Sequence, residues 1–369
     1  MNNTYCNIIK KGLFVSHQGV SLCCINPLKH QMKPSEFWYG DSRKLALDRM
    51  TKNKEVKGCE QCYIAEKNKI ASARIFYNSY KELPNKELPT MLDLDFSNFC
   101  NLKCIMCNPT RSSEWAKDEG KGISVISKDL IDDLFSISKD VVQMTIQGGE
   151  PSIMHEYEYY FELLDKADIA KNIDLQVITN ATNVNNRFYS LLEKFKSVRL
   201  SVSIDAFGLA NDYIRWPSKF NQIEKNLIKM SELKTSVRVE ILNSLNILSM
   251  FNFKEFLQWC KKIEGIYQQN QRYFGLVPMK VITPVQYSPF VAPAPLKEKF
   301  ILDVTHFFKE NNLIGNSNFK TEMFLIIKRL KESVPDDTAI KTLKGKITHL
   351  DSQRKTDITK FIPNFYQYI

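Results

Sequence analysis

Strand-like and helix-like segments alternate along this chain from Thr90 onward, and this pattern constrains the fold more than any other feature. Short runs rich in β-branched and large apolar residues are separated by longer segments with apolar residues at helical spacing. Alternation of this kind predicts an α/β fold, in which helices cover a parallel sheet. Six strands suggest a partial (β/α)6 TIM-like barrel, whose active site lies in the loops that follow the strands. The predicted strands are residues 91–97, 141–147, 173–179, 198–205, 237–242 and 275–283.

Size and composition are compatible with such a fold. The chain has 369 residues, of which 43% are hydrophobic and 25% charged, as in ordinary globular proteins. No apolar run in the sequence reaches the ~20 residues that span a bilayer. Residues 1–11 lack the apolar core and cleavage site of a signal peptide. We therefore expect a cytoplasmic protein without membrane contact, in a reducing compartment that keeps cysteines free.

The net charge of +10 is concentrated near the amino terminus. Residues 42–88 contain 11 Lys or Arg and 6 Asp or Glu, which is about half of the excess. A solvated lysine-rich surface is the favoured interpretation, and a patch for nucleic acid or an acidic substrate is the alternative.

Three cysteines follow the first predicted strand at close spacing. Cys100, Cys104 and Cys107 are separated by three and then two residues. Iron–sulfur cubanes are held by cysteine thiolates, normally four, so three would leave one iron open to a small chelating molecule. The alternatives are a zinc site or buried structural thiols, although structural zinc sites usually show two separated cysteine pairs. Cys260, within a predicted amphipathic helix, is interpreted as a small buried hydrophobe.

A second polar segment, Gln147 to Pro151, ends the second predicted strand. Its two glycines, Gly148 and Gly149, allow the backbone to approach a ligand closely. The carboxylate of Glu150 beside them is suited to holding an ammonium group.

Both segments resemble motifs of the radical S-adenosylmethionine (SAM) superfamily. The cysteine loop resembles its CxxxCxxC signature, including a bulky residue, Met106, before the third cysteine. The second segment is similar to the GGEP motif, which holds the methionine amino group in that superfamily. The resemblance implies a [4Fe-4S] cluster on Cys100, Cys104 and Cys107 and SAM at Gly148, Gly149 and Glu150.

Weaker signals stand at later strand ends. The stretch Ser203–Asp205, followed by Arg215, resembles a segment of related enzymes that binds the ribose hydroxyls and the methionine carboxylate. Ordinary strand-end polar groups are the alternative interpretation. Further candidates for contacts with the cofactor are Asn180, Asn243 and Asn246.

The amino-terminal segment carries the remaining cysteines. Leu13–Val15 and Val20–Cys24 predict a hairpin. The segment from Tyr5 to Cys62 resembles the twitch and SPASM modules, which hold auxiliary iron–sulfur clusters in radical SAM enzymes. The resemblance implies a second cluster on Cys59 and Cys62, with Cys23 or Cys24 as third ligand and Cys6 as the fourth. Zinc would suit the same thiolates. Without Cys6, an open iron would be left for substrate.

These observations predict three regions: an auxiliary-cluster module with linker at 1–89, the barrel at 90–285 and a helical carboxy-terminal extension at 286–369. The resemblance implies an enzyme that cleaves SAM reductively to a 5′-deoxyadenosyl radical, which abstracts a hydrogen atom from the substrate. We expect oxidation or bond formation on a peptide or protein side chain, with a flavodoxin or ferredoxin as electron donor. A small polar metabolite (a sugar, nucleotide or amino acid) is the alternative substrate. A zinc- or cluster-stabilised nucleic-acid-binding protein without catalysis is the alternative function. The sequence names no catalytic residue.

Overall fold

The computed structural model describes residues 4–68, 72–79, 83–234, 236–311 and 317–369. It shows an α/β fold with an eight-stranded, mostly parallel sheet, in the order β2-β1-β3-β4-β5-β6-β7-β8. The strands are β1 (Gly12–Ser16), β2 (Gly19–Ser21), β3 (Met91–Asp95), β4 (Gln143–Gln147), β5 (Asp174–Thr179), β6 (Ser197–Ser203), β7 (Val237–Leu245) and β8 (Phe274–Lys280).

The helices follow the predicted alternation. Up to β6 they are α1 (Ile8–Lys11), α2 (Pro34–Tyr39), α3 (Asp41–Thr51), α4 (Glu60–Lys67), α5 (Ala73–Ser79), α6 (Ser113–Asp118), α7 (Lys128–Ser136), α8 (His155–Lys166) and α9 (Asn186–Leu192). After β6 they are α10 (Gly208–Ile214), α11 (Phe220–Met230), α12 (Phe253–Gln269), α13 (Ala294–Glu310), α14 (Ser317–Glu332), α15 (Asp337–Arg354) and α16 (Phe365–Tyr368).

The six predicted strands correspond to β3 through β8, but the sheet is larger than the sequence indicated. The predicted hairpin is confirmed as β1 and β2, which pair antiparallel. Strand β1 also pairs in parallel with β3, so that Gly12 lies opposite Met91 and Ser16 opposite Asp95. All six strands predicted from Thr90 onward are therefore present, and the amino-terminal hairpin adds two more to the same sheet.

The chain divides into two compact units. The first contains residues 1–101, 109–178 and 185–198, and the second contains 102–108, 179–184 and 199–369. In the first unit, alternate residues of β4 and β5 are buried. Against them α8 presents apolar residues at helical spacing, Tyr157, Tyr160, Phe161 and Leu164, each at most 1% exposed.

In the second unit, the apolar residues of β7 and β8 pack with α12 and the carboxy-terminal helices. Val239, Ile241 and Leu276 are buried on the strands, and Phe256 and Ile263 on α12. Helix α15 contributes a stripe of apolar residues, Ile340, Leu343, Ile347 and Leu350, at spacings of three and four.

Candidate functional site

In the first unit, a buried tyrosine aligns the ends of β3 and β4. The Tyr157 hydroxyl lies 3.0 Å from the Leu94 carbonyl oxygen and 2.8 Å from that of Gln147, and it accepts the Phe96 N–H at 3.2 Å. The Phe96 and Tyr157 rings stack with centroids 4.6 Å apart. The two strand ends from which the motif segments start are thus tied together.

The backbone around Cys100 is held by side chains that the sequence did not single out. The Ser113 hydroxyl accepts the Cys100 N–H at 3.1 Å and lies 3.1 Å from the Cys100 carbonyl oxygen. The Ser113 N–H donates to the Asn98 carbonyl at 2.6 Å. The Asn98 amide donates to the Pro109 carbonyl at 3.1 Å and accepts the Ser124 N–H at 2.8 Å. Cys100 is therefore presented from a hydrogen-bonded loop.

The two glycines of the second segment lie directly against this loop. The Gly149 N–H donates to the Ser97 carbonyl at 2.9 Å, and the Glu150 N–H donates to the Phe99 carbonyl at 2.8 Å. A Cβ at Gly149 would stand 2.0 Å from the Phe99 carbonyl oxygen. Gly148 has φ +119°, and a Cβ there would stand 2.4 Å from Asp95 Oδ1. Glycine at these positions allows the segment to approach the chain before Cys100.

A side chain at Gly149 should therefore disrupt this packing. We expect Gly149→Ala to destabilise the chain by about 3 kcal/mol or more, since the nearest atoms are backbone and cannot move away cheaply. Gly265→Ala is the control, because a Cβ there meets nothing within 4 Å in α12. That change should stabilise by about 0.5–1 kcal/mol. Urea unfolding of the metal-free chain measures both, and equal stability of the two variants would contradict this account.

Glu150 is fully buried at the end of the same segment. Its Oε1 accepts the backbone N–H of Ser152 at 3.1 Å and the Ser152 hydroxyl at 2.7 Å. It thereby caps a 3₁₀ turn over Pro151–Ile153. These bonds hold the carboxylate in one orientation at the end of β4.

In the second unit, the cysteine loop pairs with the segment after α10. The Lys103 N–H donates to the Trp216 carbonyl at 2.5 Å, and the Ile105 N–H donates to the Ile214 carbonyl at 2.9 Å. The Cys107 N–H donates to the Cys104 carbonyl at 3.1 Å, which closes a turn between the two cysteines. The backbone of the motif is thus hydrogen-bonded at three further positions.

Two arginines act electrostatically on Cys104. Burial raises the pKa of its thiol to about 12, against the opposing effect of the Arg215 guanidinium and, less strongly, of Arg354. Burial by itself lowers the pKa of Arg215. The carboxylate of Asp205 and the thiols of Cys104 and Cys107 outweigh that effect and raise it above its ordinary value.

Asp205 binds Arg215 rather than pointing into open space. Arg215 Nε lies 2.8 Å from Asp205 Oδ2, and Nη2 donates to Oδ1 at 3.1 Å. Oδ1 also accepts the Ser244 N–H at 2.9 Å. This fully buried carboxylate therefore orients the arginine, which leaves Arg215 as the group of the pair suited to an anionic ligand.

The other four predicted cofactor-binding residues of the second unit differ in their hydrogen bonding. The side-chain oxygen of Asn180 accepts two bonds from Thr182, and the side chain of Asn246 bonds to backbone within its own turn. Ser203 is half-buried at the end of β6. The Asn243 amide donates to the carbonyls of Ile204 and Asp205, and its buried Oδ1 has no hydrogen-bond partner in the described structure. Asn243 is therefore the best suited of the four to receive a donor from a ligand.

The amino-terminal cysteines separate into two environments. One cavity is lined by Cys6, Cys23, Cys59 and Cys62. Cys24 is not among the residues that line it: its Sγ lies 3.6 Å from the hydroxyl of Tyr77, at the edge of the cavity, and contacts the Asp93 carboxyl. Burial raises the pKa of the Cys23 thiol to about 11. The sequence left Cys23 and Cys24 equivalent, and the structure groups Cys23 with the other three.

Across the described residues, no three His, Cys, Asp or Glu side chains stand at the spacing of ligands to one metal ion. The interpretation of the four-cysteine cavity as a metal centre therefore depends on its donor set and enclosure. Four thiols around one apolar cavity are a donor set that suits an iron–sulfur cluster.

A buried polar face on β3 was not anticipated from the sequence. Asp93 and Asp95 alternate along the strand and so share one side of the sheet. Asp93 Oδ1 accepts a hydrogen bond from Gln147 at 2.7 Å, and Asp95 Oδ2 lies 3.2 Å from Arg111 Nη1. Burial raises the pKa of both carboxyls, with opposing effects on Asp95 from Arg111, His17 and Lys29. Asp95 Oδ1 is buried and has no hydrogen-bond partner within the described structure.

Comparison with protein families identifies the central part of the chain. Residues 94–262 match the family described as the Radical SAM superfamily. Residues 94–262 form a radical SAM domain. The match begins at the end of β3, contains all three cysteines of the CxxxCxxC motif and the GGEP segment, and ends within α12. No curated protein matches the chain.

Comparison with solved structures gives matches of low similarity. SuiB from Streptococcus suis, bound to S-adenosylmethionine, is 15% identical over 82% of this chain and 70% of its own, with a TM-score of 0.40. TYW1 with a lysine-pyruvate adduct bound is 17% identical over 61% of this chain and 72% of its own, with a TM-score of 0.36. TsrM from Kitasatospora setae, a radical S-adenosylmethionine methyltransferase, is 11% identical over 58% of this chain and 42% of its own, with a TM-score of 0.35. Similarity at this level carries no information about substrate. Every helix in the described part of the chain is too short or too polar to cross a bilayer.

The residues of the radical SAM domain fit the cofactors that this superfamily implies. None of the nine cysteines, all of which are described, takes part in a disulfide. Thiolates are the ligands of iron–sulfur clusters. The guanidinium groups near Cys104 favour its anionic form. The unpartnered Asn243 oxygen in the second unit offers an acceptor for a ligand.

Proposed function

We propose that this protein is a radical SAM enzyme in which Cys100, Cys104 and Cys107 hold a [4Fe-4S] cluster. The observation that carries the proposal is the match over residues 94–262, in which the three motif cysteines sit on a loop with hydrogen-bonded backbone. When bound, the cluster supplies the electron for reductive cleavage of SAM. The protein's own contribution is to present three thiolates, orient the cofactor and exclude water.

Several side chains are assigned to SAM in this proposal. Glu150, oriented by Ser152, binds the amino group, and Gly148 and Gly149 let the backbone approach. Arg215, oriented by Asp205, binds the carboxylate. Asn243 accepts a hydrogen bond from the adenosine moiety through its unpartnered oxygen, with Ser203 beside the ribose. Asn180 and Asn246 shape the neighbouring loops through the backbone bonds described above.

We propose further that Cys6, Cys23, Cys59 and Cys62 hold an auxiliary iron–sulfur cluster. The shared cavity supports this ligand set, and the contacts of Cys24 with Tyr77 and Asp93 argue against Cys24 as the third ligand. Four cysteine ligands would leave no open iron for substrate. The four cysteines would then hold a centre that could relay electrons.

The proposed substrate is a peptide or protein side chain, with a flavodoxin or ferredoxin as electron donor. The resemblance of the cysteine-rich segment to twitch and SPASM modules supports this substrate. A small polar metabolite is the second candidate, and a specific observation favours it. The buried face of Asp93, Asp95 and Gln147, with Arg111 and Lys29 nearby, offers acceptors and cations to a compact polar ligand.

Anaerobic reconstitution with iron and sulfide tests the proposed chemistry. We expect a brown protein with about eight irons, equivalent to two cubanes, that forms 5′-deoxyadenosine from SAM in the presence of dithionite. A colourless zinc protein that forms no 5′-deoxyadenosine and shifts DNA or RNA in a gel would overturn the proposal. Mass spectrometry of peptides and of metabolites, after incubation of the holoenzyme with cell extract, distinguishes the two substrate classes.

A further inference from the structure

One side chain of the carboxy-terminal extension contacts the cysteine motif. Arg354, the last residue of α15, donates from Nη2 to the Lys103 carbonyl at 2.8 Å, directly before Cys104. Its Nη1 donates to the Tyr213 carbonyl at 3.0 Å, near the end of α10. One guanidinium thus joins the motif loop, α10 and α15 within the second unit. Arg354 is therefore only partly exposed to solvent.

Neighbouring groups hold this guanidinium in place. It lies 5.5 Å from the ring centroid of Tyr213 and 5.7 Å from that of Trp216. The Tyr213 hydroxyl donates to Asp351 Oδ1 at 3.1 Å, which ties α10 to α15 one turn before Arg354. The planar fork of arginine can reach two carbonyls at once while stacking on aromatic rings, which a lysine cannot do.

Arg354 bonds to the same two segments whose backbones pair to order the motif loop. Lys103 donates to Trp216 and Ile105 donates to Ile214 through their backbones, and Arg354 spans the same two segments through Lys103 and Tyr213. Its charge also acts on Cys104, alongside that of Arg215. Unlike Arg215, Arg354 has no carboxylate within ion-pair distance among the described residues, and the carboxylate that acts on its charge from farther away is Asp351.

We propose that Arg354 is a positioning residue for the cysteine loop, which makes the carboxy-terminal extension part of the cluster site. It acts in two separable ways: its fork anchors the Lys103–Cys104 backbone, and its charge stabilises negative charge at the thiolates. The second action rests on the proposed function, whereas the first holds for the metal-free chain.

The charge of Arg354 has a predictable effect on redox behaviour. A cation beside a cluster stabilises the reduced form, which carries the additional negative charge. Removing the charge in Arg354→Gln should therefore shift the midpoint potential to a more negative value. Arg354→Lys keeps the charge and should leave the potential close to that of the unaltered chain.

Two measurements on three variants test the inference. Hydrogen exchange of the metal-free full chain follows the Lys103 and Ile105 amides, which we expect to exchange about tenfold faster in both Arg354→Gln and Arg354→Lys. A redox titration of the reconstituted protein gives the midpoint potential. Arg329→Gln is the matched control. Arg329 is on α14, and its guanidinium lies over the ring of Phe290. This substitution should change neither quantity.

The outcomes are separable. Unchanged exchange at Lys103 and Ile105 in Arg354→Lys overturns the anchoring role, even if Arg354→Gln does not fold. Equal potentials for the unaltered chain and Arg354→Gln overturn the electrostatic role. If the unaltered chain assembles no cluster, the proposed function fails, and hydrogen exchange still decides whether Arg354 anchors the loop.

Discussion

Replacing Cys104 with alanine should abolish SAM cleavage and remove one cluster. Cys104 is one of the three proposed motif ligands, and its loss leaves two cysteines, too few to hold a cubane with one open iron. We expect the reconstituted Cys104→Ala protein to contain about four irons instead of about eight. Formation of 5′-deoxyadenosine should fall to the level of a protein-free blank.

Cys260→Ala is the matched control for this experiment. Cys260 is fully buried on α12 among apolar residues, and its thiol has no part in either proposed ligand set. Its replacement should leave the iron content and the rate of SAM cleavage unchanged. Cleavage retained by Cys104→Ala, or lost equally in both variants, would contradict the assignment of the motif cysteines.

Replacing Cys59 should remove the auxiliary cluster without affecting SAM cleavage. Cys59 lines the four-cysteine cavity, so Cys59→Ala should lose about four irons of the auxiliary centre. The motif in residues 100–107 is unaltered, and we therefore expect 5′-deoxyadenosine to form still. Modification of the substrate should stop, because the proposed oxidation of the substrate radical would need the auxiliary centre as electron acceptor.

Cys24→Ala provides the comparison, since Cys24 adjoins a proposed ligand in sequence but points toward Tyr77 and Asp93. This variant should keep about eight irons. Iron loss in Cys24→Ala with full iron content in a Cys23→Ala variant would reverse the assignment of the third ligand. Full iron content in Cys59→Ala would show that the cavity does not hold a cluster.

Adjacent residues such as Cys23 and Cys24 show where sequence reasoning ends. The two residues are one position apart, so spacing along the chain does not choose between them as a ligand. Only the course of the backbone after β2 places Cys23 on the cavity and Cys24 against Asp93 of β3. Asp205 is a similar case. Its place at a strand end suggested a ligand contact, but the folded chain brings it onto Arg215.

Contacts over long sequence separations could not be anticipated at all. Arg354 bonds to Lys103 across 251 residues, and Ser113 holds the Cys100 backbone from the start of α6. Neither residue belongs to a pattern, because a hydrogen bond to a backbone carbonyl or N–H requires only a donor or acceptor at the right place. The pairing of β1 with β3 was equally invisible, since strand patterns do not specify their neighbours.

The sequence by itself determined the positions of the sheet strands and the chemical character of the CxxxCxxC motif. Apolar periodicity is a local property, and it located β3 through β8 to within a few residues. The spacing of Cys100, Cys104 and Cys107 is local as well, so three thiols on one short loop after the first barrel strand were evident from the chain alone. Tertiary structure decided which groups come together: the glycines packed against Phe99, the arginines whose charge acts on Cys104, and the four amino-terminal cysteines that share a cavity. The physical reason is that such neighbours are selected by packing and hydrogen bonding between distant segments, and no pattern along the chain records them.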